Sequence, residues 1–369
     1  MGKYGKKNHV SLNVIDTSVI FLGTPKLGKS TIMKEVAEKL TDPDEGYLFL
    51  EMYHERGADK IEGINYENVP DWETFDDIIT DIEDNKTTDY PKLQLVVIDT
   101  WDNAIELAEK EVIRVWNKEN PDKRTDNINA TYAGFQKGQA KAAQYLDEMT
   151  NRLIDVGVQV WIIMHIKNKE ITDPVSGETY QTVTANISQS YFNAINRNKD
   201  VIAVGYVDRE IVKEKTGKKN IVTKKEETRN VVKDQTRRIK FRDEAYAIDA
   251  GGRLSDYIEP EIDFDSDSFI KAIEDALKAK VENAGVSLKD RAKEDASKKK
   301  KREAEIAAAE EENRSKKELE TVISSIIDAC KADKDLAKSV VKECKELGYS
   351  NPKEVDDLEV AKKLLAMCE

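Results

Sequence analysis

The sequence predicts an α/β fold in which a doubly wound, mostly parallel sheet is followed by a charged helical linker and a small helical module. Short apolar runs alternate with segments of helical spacing from residue 9 to about 260. Two of these runs, Leu95–Ile98 and Val160–Met164, are apolar at every position, which is typical of parallel strands covered on both faces. The segment Gly23–Thr31 joins a predicted strand to a predicted helix, as expected in a β-α-β unit.

Six strands and four helices account for the alternation. The strands are predicted at His9–Val14, Val19–Gly23, Tyr47–Glu51, Leu93–Asp99, Val158–His165 and Val201–Val207, and the helices at 30–40, 72–84, 102–118 and 136–156. Residues 208–242 predict a basic hairpin, since Ile and Val alternate on either side of a turn at Lys215–Asn220. Residues 237–260 are expected to supply a last strand and a closing loop.

The 369 residues are enough for about two domains. We predict a core over 1–262, a helix and charged linker over 263–316, and a small helical interaction module over 317–369. The linker begins with an amphipathic helix, Asp265–Lys280, and continues as a solvated helix or a disordered segment rich in Lys, Glu and Ala. The helical module is predicted because this region contains three stripes of apolar residues at helical spacing.

Charge and cysteine content exclude several classes of protein. A net charge of −13 argues against coating nucleic acid with the whole surface, although a local basic strip is compatible with it. No apolar run approaches ~18 residues, so neither a membrane span nor a membrane partner is expected. The cysteines Cys330, Cys344 and Cys368 lie far apart with no histidine nearby, which favours reduced thiols in a cytoplasmic protein over a zinc site.

The segment Gly23–Thr31 fits the phosphate-loop pattern G-x-x-x-x-G-K-[ST]. Its glycines allow backbone N–H groups to face phosphate oxygens, and the following helix adds the positive end of its dipole. Lys29 is expected to reach the β- and γ-phosphates of a nucleoside triphosphate, and the Ser30 hydroxyl to bind Mg²⁺. The predicted nucleotide-binding residues are Gly23, Thr24, Pro25, Lys26, Leu27, Gly28, Lys29, Ser30 and Thr31.

A second nucleotide motif is predicted where the apolar strand Leu93–Asp99 ends in a carboxylate. Asp99 would hold Mg²⁺ through water beside Ser30. The alternative is that Asp99 only caps the helix that follows. Thr100 comes next in the chain, where many oligomeric ATPases have the glutamate that activates water. The catalytic base must then come from elsewhere.

Glu51 is predicted as that base, because it ends the short apolar strand Tyr47–Glu51 and ligands bind at the carboxyl ends of such strands. Glu55 is the substitute, and an ordinary solvated Glu51 is the alternative. His165 ends another predicted strand, where it would contact the γ-phosphate and sense hydrolysis. The alternative for His165 is a satisfied histidine at a strand end.

Four cations, Arg237, Arg238, Lys240 and Arg242, follow one another along the last predicted strand. One of them, with Arg238, Lys240 and Arg242 as the candidates, would cross to a neighbouring subunit's γ-phosphate, where a cation stabilises the transition state. The alternative is a solvated basic edge strand, which prevents aggregation.

Four segments together resemble the RecA-like ATPase core: Gly23–Thr31, Glu51, Leu95–Thr100 and Val160–Lys167. More closely, they and the closing segment from Arg237 to Pro260 look like phage-encoded RecA-like proteins that anneal or recombine single-stranded DNA. The likeness covers residues 9 to about 280 and leaves 281–369 unexplained. It implies an ATP-dependent homo-oligomer that acts on single-stranded DNA.

The resemblance also implies a mobile DNA-binding loop after His165, here Ile166 to about Asp200. Phosphate contacts would come from Lys167, Lys169, Arg197 and Lys199, and stacking from Tyr180, Tyr191 and Phe192. The alternative is that Tyr191 and Phe192 pack into the core. Lys118–Arg124 is a weaker candidate for a second loop.

The sequence is thus interpreted as an ATP-dependent single-stranded DNA recombinase or annealing protein whose DNA-stimulated hydrolysis releases the DNA. One alternative function, from the same superfamily, is that of a replicative helicase or helicase loader. A second, from another class of protein, is that of a nucleotide-dependent scaffold with little hydrolysis. Residues 317–369 are expected to bind a single-strand binding protein or a replication factor, in the cytoplasm, or the host cytoplasm if the protein is phage-encoded.

Overall fold

A computed structural model describes residues 10–172, 176–197, 199–219, 226–243 and 250–368. At 211, 213–219, 226–230 and 334 only the backbone is described. The chain forms two compact units. The first comprises the chain up to Asp84 together with Lys92–Ser297, and the second comprises Asn85–Pro91 and the chain from Lys298 onward.

Both units contain helices, and in the first unit the helices alternate with strands. The strands are β1 Val19–Gly23, β2 Tyr47–Met52, β3 Tyr66–Val69, β4 Leu95–Asp99, β5 Gln159–Thr172, β6 Thr179–Ala185, β7 Val201–Lys219, β8 Glu226–Lys240 and β9 Glu261–Asp263. The helices are α1 Lys29–Leu40, α2 Trp72–Asp84, α3 Trp101–Glu119, α4 Lys137–Asp155, α5 Gln189–Asn196, α6 Ser266–Asn283, α7 Leu288–Ala332, α8 Lys334–Glu346 and α9 Leu358–Ala366.

The sheet has the order β3-β2-β4-β5-β1-β7-β8-β9, and β6 pairs with the outer half of β5. Neighbours from β3 to β7 are parallel, whereas β7–β8, β8–β9 and β5–β6 are antiparallel. The prediction of a doubly wound, mostly parallel RecA-like sheet is confirmed. Register aligns the carboxyl ends of the central strands, with Gly23 opposite His165 and Glu51 opposite Asp99.

The continuous apolar runs Leu95–Ile98 and Val160–Met164 lie in the central strands β4 and β5, as predicted, and every residue of both runs is buried. On one side of the sheet, α6 contributes Phe269, whose ring lies 6.0 Å from Phe21, 6.5 Å from Trp161 and 5.6 Å from Phe241, measured between centroids. The helix therefore belongs to the core of the first unit. The predicted division at residue 262 does not coincide with the unit boundary after Ser297.

The prediction of a strand at His9–Val14 is wrong for the part of this range that the structure describes, residues 10–14. Residues 10–13 have no regular structure, and Val14–Asp16 is a 3₁₀ turn closed by a hydrogen bond from Thr17 Oγ1 to the Val14 carbonyl. Val14 and Ile15 are adjacent and both buried. A strand would place adjacent side chains on opposite faces, so the turn is what lets both reach the core.

The sequence does not predict several short elements, namely β3, β6, β9 and α5. The basic hairpin is confirmed as β7–β8, but its turn is not at Lys215–Asn220, because β7 continues to Lys219. Register shifts between Glu210 and Ile211 and again between Lys215 and Lys219. Asn220 and part of the predicted closing loop lie outside the described residues.

In the second unit, the end of α7 packs with α8, α9 and the turn Pro352–Glu354. The buried residues are Val322, Ile326, Val340, Cys344, Val355, Ala361 and Leu364, and all of them except Ala361 belong to the three predicted stripes. Asp333 and Asp357 cap α8 and α9 through their carboxylates. Of the helices described, none is both long and apolar enough to cross a membrane.

Candidate nucleotide-binding site

The phosphate loop Gly23–Thr31 connects β1 to α1 in the geometry that its sequence predicts. Gly28 precedes the helix with φ +100°, a left-handed conformation that favours glycine. A side chain at Gly23 would meet Leu27 Cδ2 at 2.8 Å, so this position also requires glycine. The first N–H groups of α1 have no partner within the helix, and together with its dipole they are suited to bind phosphate.

Lys29 is buried at the start of α1, and its ammonium donates to the Thr24 carbonyl at 3.1 Å. Burial lowers the pKa of Lys29, against the attraction of Asp99, Glu55 and Asp102. A cation enclosed by the loop and partly deprived of water would gain an anionic partner when phosphates bind.

Ser30 and Asp99 are brought into contact across β1, β5 and β4, and the Ser30 hydroxyl donates to an Asp99 carboxylate oxygen. Burial, aided by Glu55, raises the pKa of Asp99 to about 6 against the opposing effects of Ser30, Lys29 and His165. A hydroxyl and a buried carboxylate fit Mg²⁺, which prefers oxygen ligands. Among the described residues no three His, Cys, Asp or Glu side chains form a metal cage, so substrate phosphates and water would complete the coordination.

Asp99→Asn is expected to stabilise the nucleotide-free protein at pH 7 by about 1–3 kcal/mol, because it removes a buried charge. In the wild type, the folded form keeps a proton on Asp99 that the unfolded chain loses above its ordinary pKa near 3.8. The free energy of unfolding should therefore fall as pH rises through the window from 3.8 to about 6. Urea unfolding of both proteins at pH 4.5 and 7 tests this. An unchanged pH dependence in Asp99→Asn would contradict it.

Glu51 is buried, and one of its two carboxylate oxygens is held by backbone N–H groups. Its Oε1 accepts hydrogen bonds from the backbone N–H groups of Gly57 at 2.5 Å and Ala58 at 2.8 Å, and the residue is 5% exposed. Glu55 is half-buried and close enough to influence the pKa of both Lys29 and Asp99. Glu51 therefore fixes the segment that carries Glu55, and which of the two glutamates acts as the base stays a prediction.

His165 lies at the carboxyl edge of the sheet opposite Gly23, where its Nδ1 is 2.8 Å from Asp102 Oδ2. Burial disfavours the ionised Asp102, but the hydrogen bond and the charge attraction of His165, together with hydrogen bonds from Thr100 and the backbone, outweigh burial, so the pKa of Asp102 lies below its usual value. The ring is held at α3 beside the phosphate loop. Its role as a sensor stays a prediction, and Asp102 is a residue that the sequence did not reveal.

Arg237 is the cation of β8 that reaches the phosphate loop, and it does so within its own chain. Its Nη1 donates to the Leu27 carbonyl at 3.0 Å, and its guanidinium carbon lies 5.7 Å from the centre of the Phe264 ring. The three candidates for action in trans have local partners: Arg238 pairs with Asp263, Lys240 with Asp243, and Arg242 with the Ser255 carbonyl. Their action in trans stays a prediction.

Within its described residues, the segment after His165 contains the outer half of β5, the strand β6 that pairs with it, and α5. Lys167 donates to the Ile187 carbonyl at 2.7 Å and Lys169 to Gln189 Oε1 at 2.9 Å, both on or beside the hairpin. Arg197 is exposed. Lys199 is half-buried near Asp147 and Asp200, and burial lowers its pKa.

Two of the predicted stacking residues are not available for stacking. Tyr191 and Phe192 are 5% and 2% exposed, and the Tyr191 hydroxyl donates to Glu109 Oε1 at 2.7 Å. The prediction that they stack on bases is wrong, because α5 is amphipathic and buries this face. Tyr180, on β6, is 40% exposed and keeps its predicted position at the surface.

Phe135 is a candidate functional residue that the sequence interpretation missed. It is 95% exposed and precedes α4 within a run of positive φ angles at Tyr132, Ala133, Gly134, Phe135 and Gln136. Left-handed backbone in non-glycine residues is costly and concentrates at functional sites. The sequence signal is only an aromatic next to Gly134, too common to be recognised.

These features define the class of the protein: a P-loop ATPase with a RecA-like fold. A family model described as an AAA domain matches residues 15–236, well over half of the chain. The chain therefore belongs to this AAA domain family.

Comparison with solved structures and curated proteins adds little detail. A KaiC-like protein from the hyperthermophilic archaeon Pyrococcus horikoshii OT3 is similar at 13% identity, with a TM-score of 0.29 over 61% of this chain and 78% of that chain. A likeness of that size is too low to add to the observed topology. No curated protein matches the chain.

Proposed function

We propose that the protein is an ATPase that binds single-stranded DNA, assembles on it as a homo-oligomer, and releases it on ATP hydrolysis. This activity would serve recombination or annealing, in keeping with the resemblance to phage-encoded RecA-like proteins. The second unit would recruit a single-strand binding protein or a replication factor.

The observation that carries the proposal is the continuity of β5. The strand passes His165 at the nucleotide site and runs on without a break to Thr172, so its outer half forms the hairpin that bears Lys167 and Lys169. A γ-phosphate that competes with Asp102 for the His165 ring would act on the same strand that presents these lysines. Nucleotide state and hairpin position are thereby coupled through one rigid element.

A second support comes from the start of α4. This helix ends at Asp155, just before the amino end of β5, so its first turn lies toward the carboxyl edge of the sheet, the edge that holds the phosphate loop. Phe135 comes directly before that turn. Exposed aromatics beside lysines suit single strands, because stacking tolerates any base sequence.

The proposal is tested by fluorescence anisotropy with a labelled oligo(dT), in the absence of nucleotide and with ADP or a non-hydrolysable ATP analogue. The expected result is tight binding only with the ATP analogue, and no nucleotide effect in Lys29→Ala. Equal affinity in all three states would overturn the coupling. Electron microscopy of the same samples would show whether an oligomer forms.

Phe135→Ala is expected to weaken oligo(dT) binding by about 5- to 100-fold, since base–aromatic stacking contributes about 1–3 kcal/mol. Stability should not fall, because the side chain has almost no contacts to lose. Ile154→Ala is the matched control: Ile154 is 47% exposed in the last turn of α4. A similar loss of affinity in both variants would contradict a specific role for Phe135.

A further inference from the structure

The β7–β8 hairpin extends far beyond the sheet. Only Val201–Gly205 of β7 pair with β1, and only Arg238–Lys240 of β8 pair with β9. Within the described residues, the rest of the two strands pair solely with each other, as far as Lys219 opposite Glu226. A two-stranded ribbon gains little stability by itself and exposes both of its edges. Its length therefore calls for a binding role.

The register of the ribbon separates its charges. Residues directly opposite in an antiparallel pair share a face, as do alternate residues along a strand. One face carries the pairs Val207–Arg237, Arg209–Gln235, Ile211–Val232, Lys213–Asn230 and Lys215–Thr228. We call it the cationic face, since these positions hold four cations and no carboxylate.

The opposite face has the reverse character. It carries the pairs Tyr206–Arg238, Asp208–Thr236, Glu210–Asp234, Val212–Val231 and Glu214–Arg229. Four carboxylates outnumber two arginines there. We call this the acidic face. Lys233 is the extra residue at the register shift, and because its Nζ lies 3.3 Å from Glu210 Oε1, its side chain is on the acidic face as well.

The inner end of the cationic face lies at the nucleotide site. Gly205, on the same face, is close enough to Leu27 and Phe264 that a side chain there would clash with both. Arg237 contacts the phosphate loop at the Leu27 carbonyl. Arg237 and Arg209 are both exposed, so the cations begin at the loop and continue outward along the ribbon.

The composition of the cationic face fits nucleic acid better than a second copy of this chain. Along a strand, cations on this face are separated by multiples of about 7 Å, which is the length of two residues of a strand. They alternate with Gln235, Asn230 and Thr228, residue types that donate hydrogen bonds to phosphates. Only one apolar pair, Ile211 and Val232, lies among them, whereas the centre of a protein interface is largely apolar.

We propose that the cationic face is a second binding surface for the phosphates of a single DNA strand, in addition to the β5–β6 hairpin. This inference rests on the proposed function, because it concerns the same ligand. It adds that the strand follows the ribbon outward from the phosphate loop. Arg237 would then connect the bound strand to the loop that holds ATP.

The test is the salt dependence of oligo(dT) affinity for Arg209→Gln/Lys213→Gln in the full chain. Each lost phosphate contact should reduce the slope of log K against log salt concentration by about 0.7, so the double variant should lose about 1.4. The matched control is Arg229→Gln/Lys233→Gln, which removes the same charge from the acidic face and should keep the wild-type slope. Basal ATP hydrolysis verifies that each variant is folded.

Three outcomes would overturn the inference: an unchanged slope in the first variant, an equal fall in both variants, or a loss of oligomer mass in sedimentation without a change in slope. The last would assign the cationic face to a second copy of the chain. If the wild type does not bind oligo(dT) at all, the proposed function fails and this inference with it. If the wild type binds and the slopes agree, only the inference fails.

Discussion

Lys29→Ala is expected to lower ATP hydrolysis by about 100-fold or more, the usual loss when a charge that stabilises the transition state is removed. Lys29 is the buried cation at the start of α1, enclosed by the loop through its bond to the Thr24 carbonyl. Steady-state phosphate release measures the effect. Binding of a fluorescent ATP analogue separates loss of binding from loss of chemistry.

The control is Lys26→Ala, in the same loop. Lys26 is exposed, so its ammonium lies in water and is not enclosed like that of Lys29. A change of less than about threefold is expected, in line with the small energies of exposed charges. If Lys26→Ala and Lys29→Ala reduce hydrolysis equally, the loop does not bind phosphate in the manner described.

Glu55→Gln is expected to reduce hydrolysis by about 100- to 10,000-fold, the range for loss of a general base, while ATP binding persists. Glu55 acts electrostatically on Lys29 and Asp99, which places its carboxylate at the site. Single-turnover hydrolysis, together with ATP affinity, measures the two effects separately.

Glu51→Gln is the comparison that decides between the two glutamates. The amide oxygen of the introduced glutamine would still accept hydrogen bonds from Gly57 and Ala58, so the segment carrying Glu55 should keep its position. Activity should then fall less than in Glu55→Gln. A larger loss in Glu51→Gln than in Glu55→Gln would restore Glu51 as the base. Equal, small losses would favour the scaffold with little hydrolysis.

The sequence predicts the central sheet well because buried parallel strands have a strong and local signal. The strand Val19–Gly23 matches its prediction to the residue, and the phosphate loop includes Gly28, whose left-handed backbone other residues adopt only at a cost. The sequence also predicts that Asp99 lies near Ser30, since the carboxyl ends of parallel strands lie at the same edge of a sheet. Their use as metal ligands stays a prediction.

What the sequence could not provide depends on contacts between distant segments. The direction of the Glu51 carboxylate is set by the N–H groups of Gly57 and Ala58, which no periodicity reports. The partner of the buried Tyr191 hydroxyl is Glu109, which lies 82 residues earlier in the chain. Arg237 and Arg238 point to opposite faces of β8, and Arg237 is on the face that contacts Leu27 of the phosphate loop and Phe264.

The position of α6 has a consequence for biosynthesis. The phosphate loop is made early, but β1 is held by bonds such as that from Ser18 to Asp200, 182 residues later, and its Phe21 packs against Phe269 of α6. Contacts so distant in sequence form slowly, and a chain still on the ribosome exposes the apolar surfaces that await them. The first motif translated is therefore expected to be among the last to become functional, with stable nucleotide binding only after α6 has emerged.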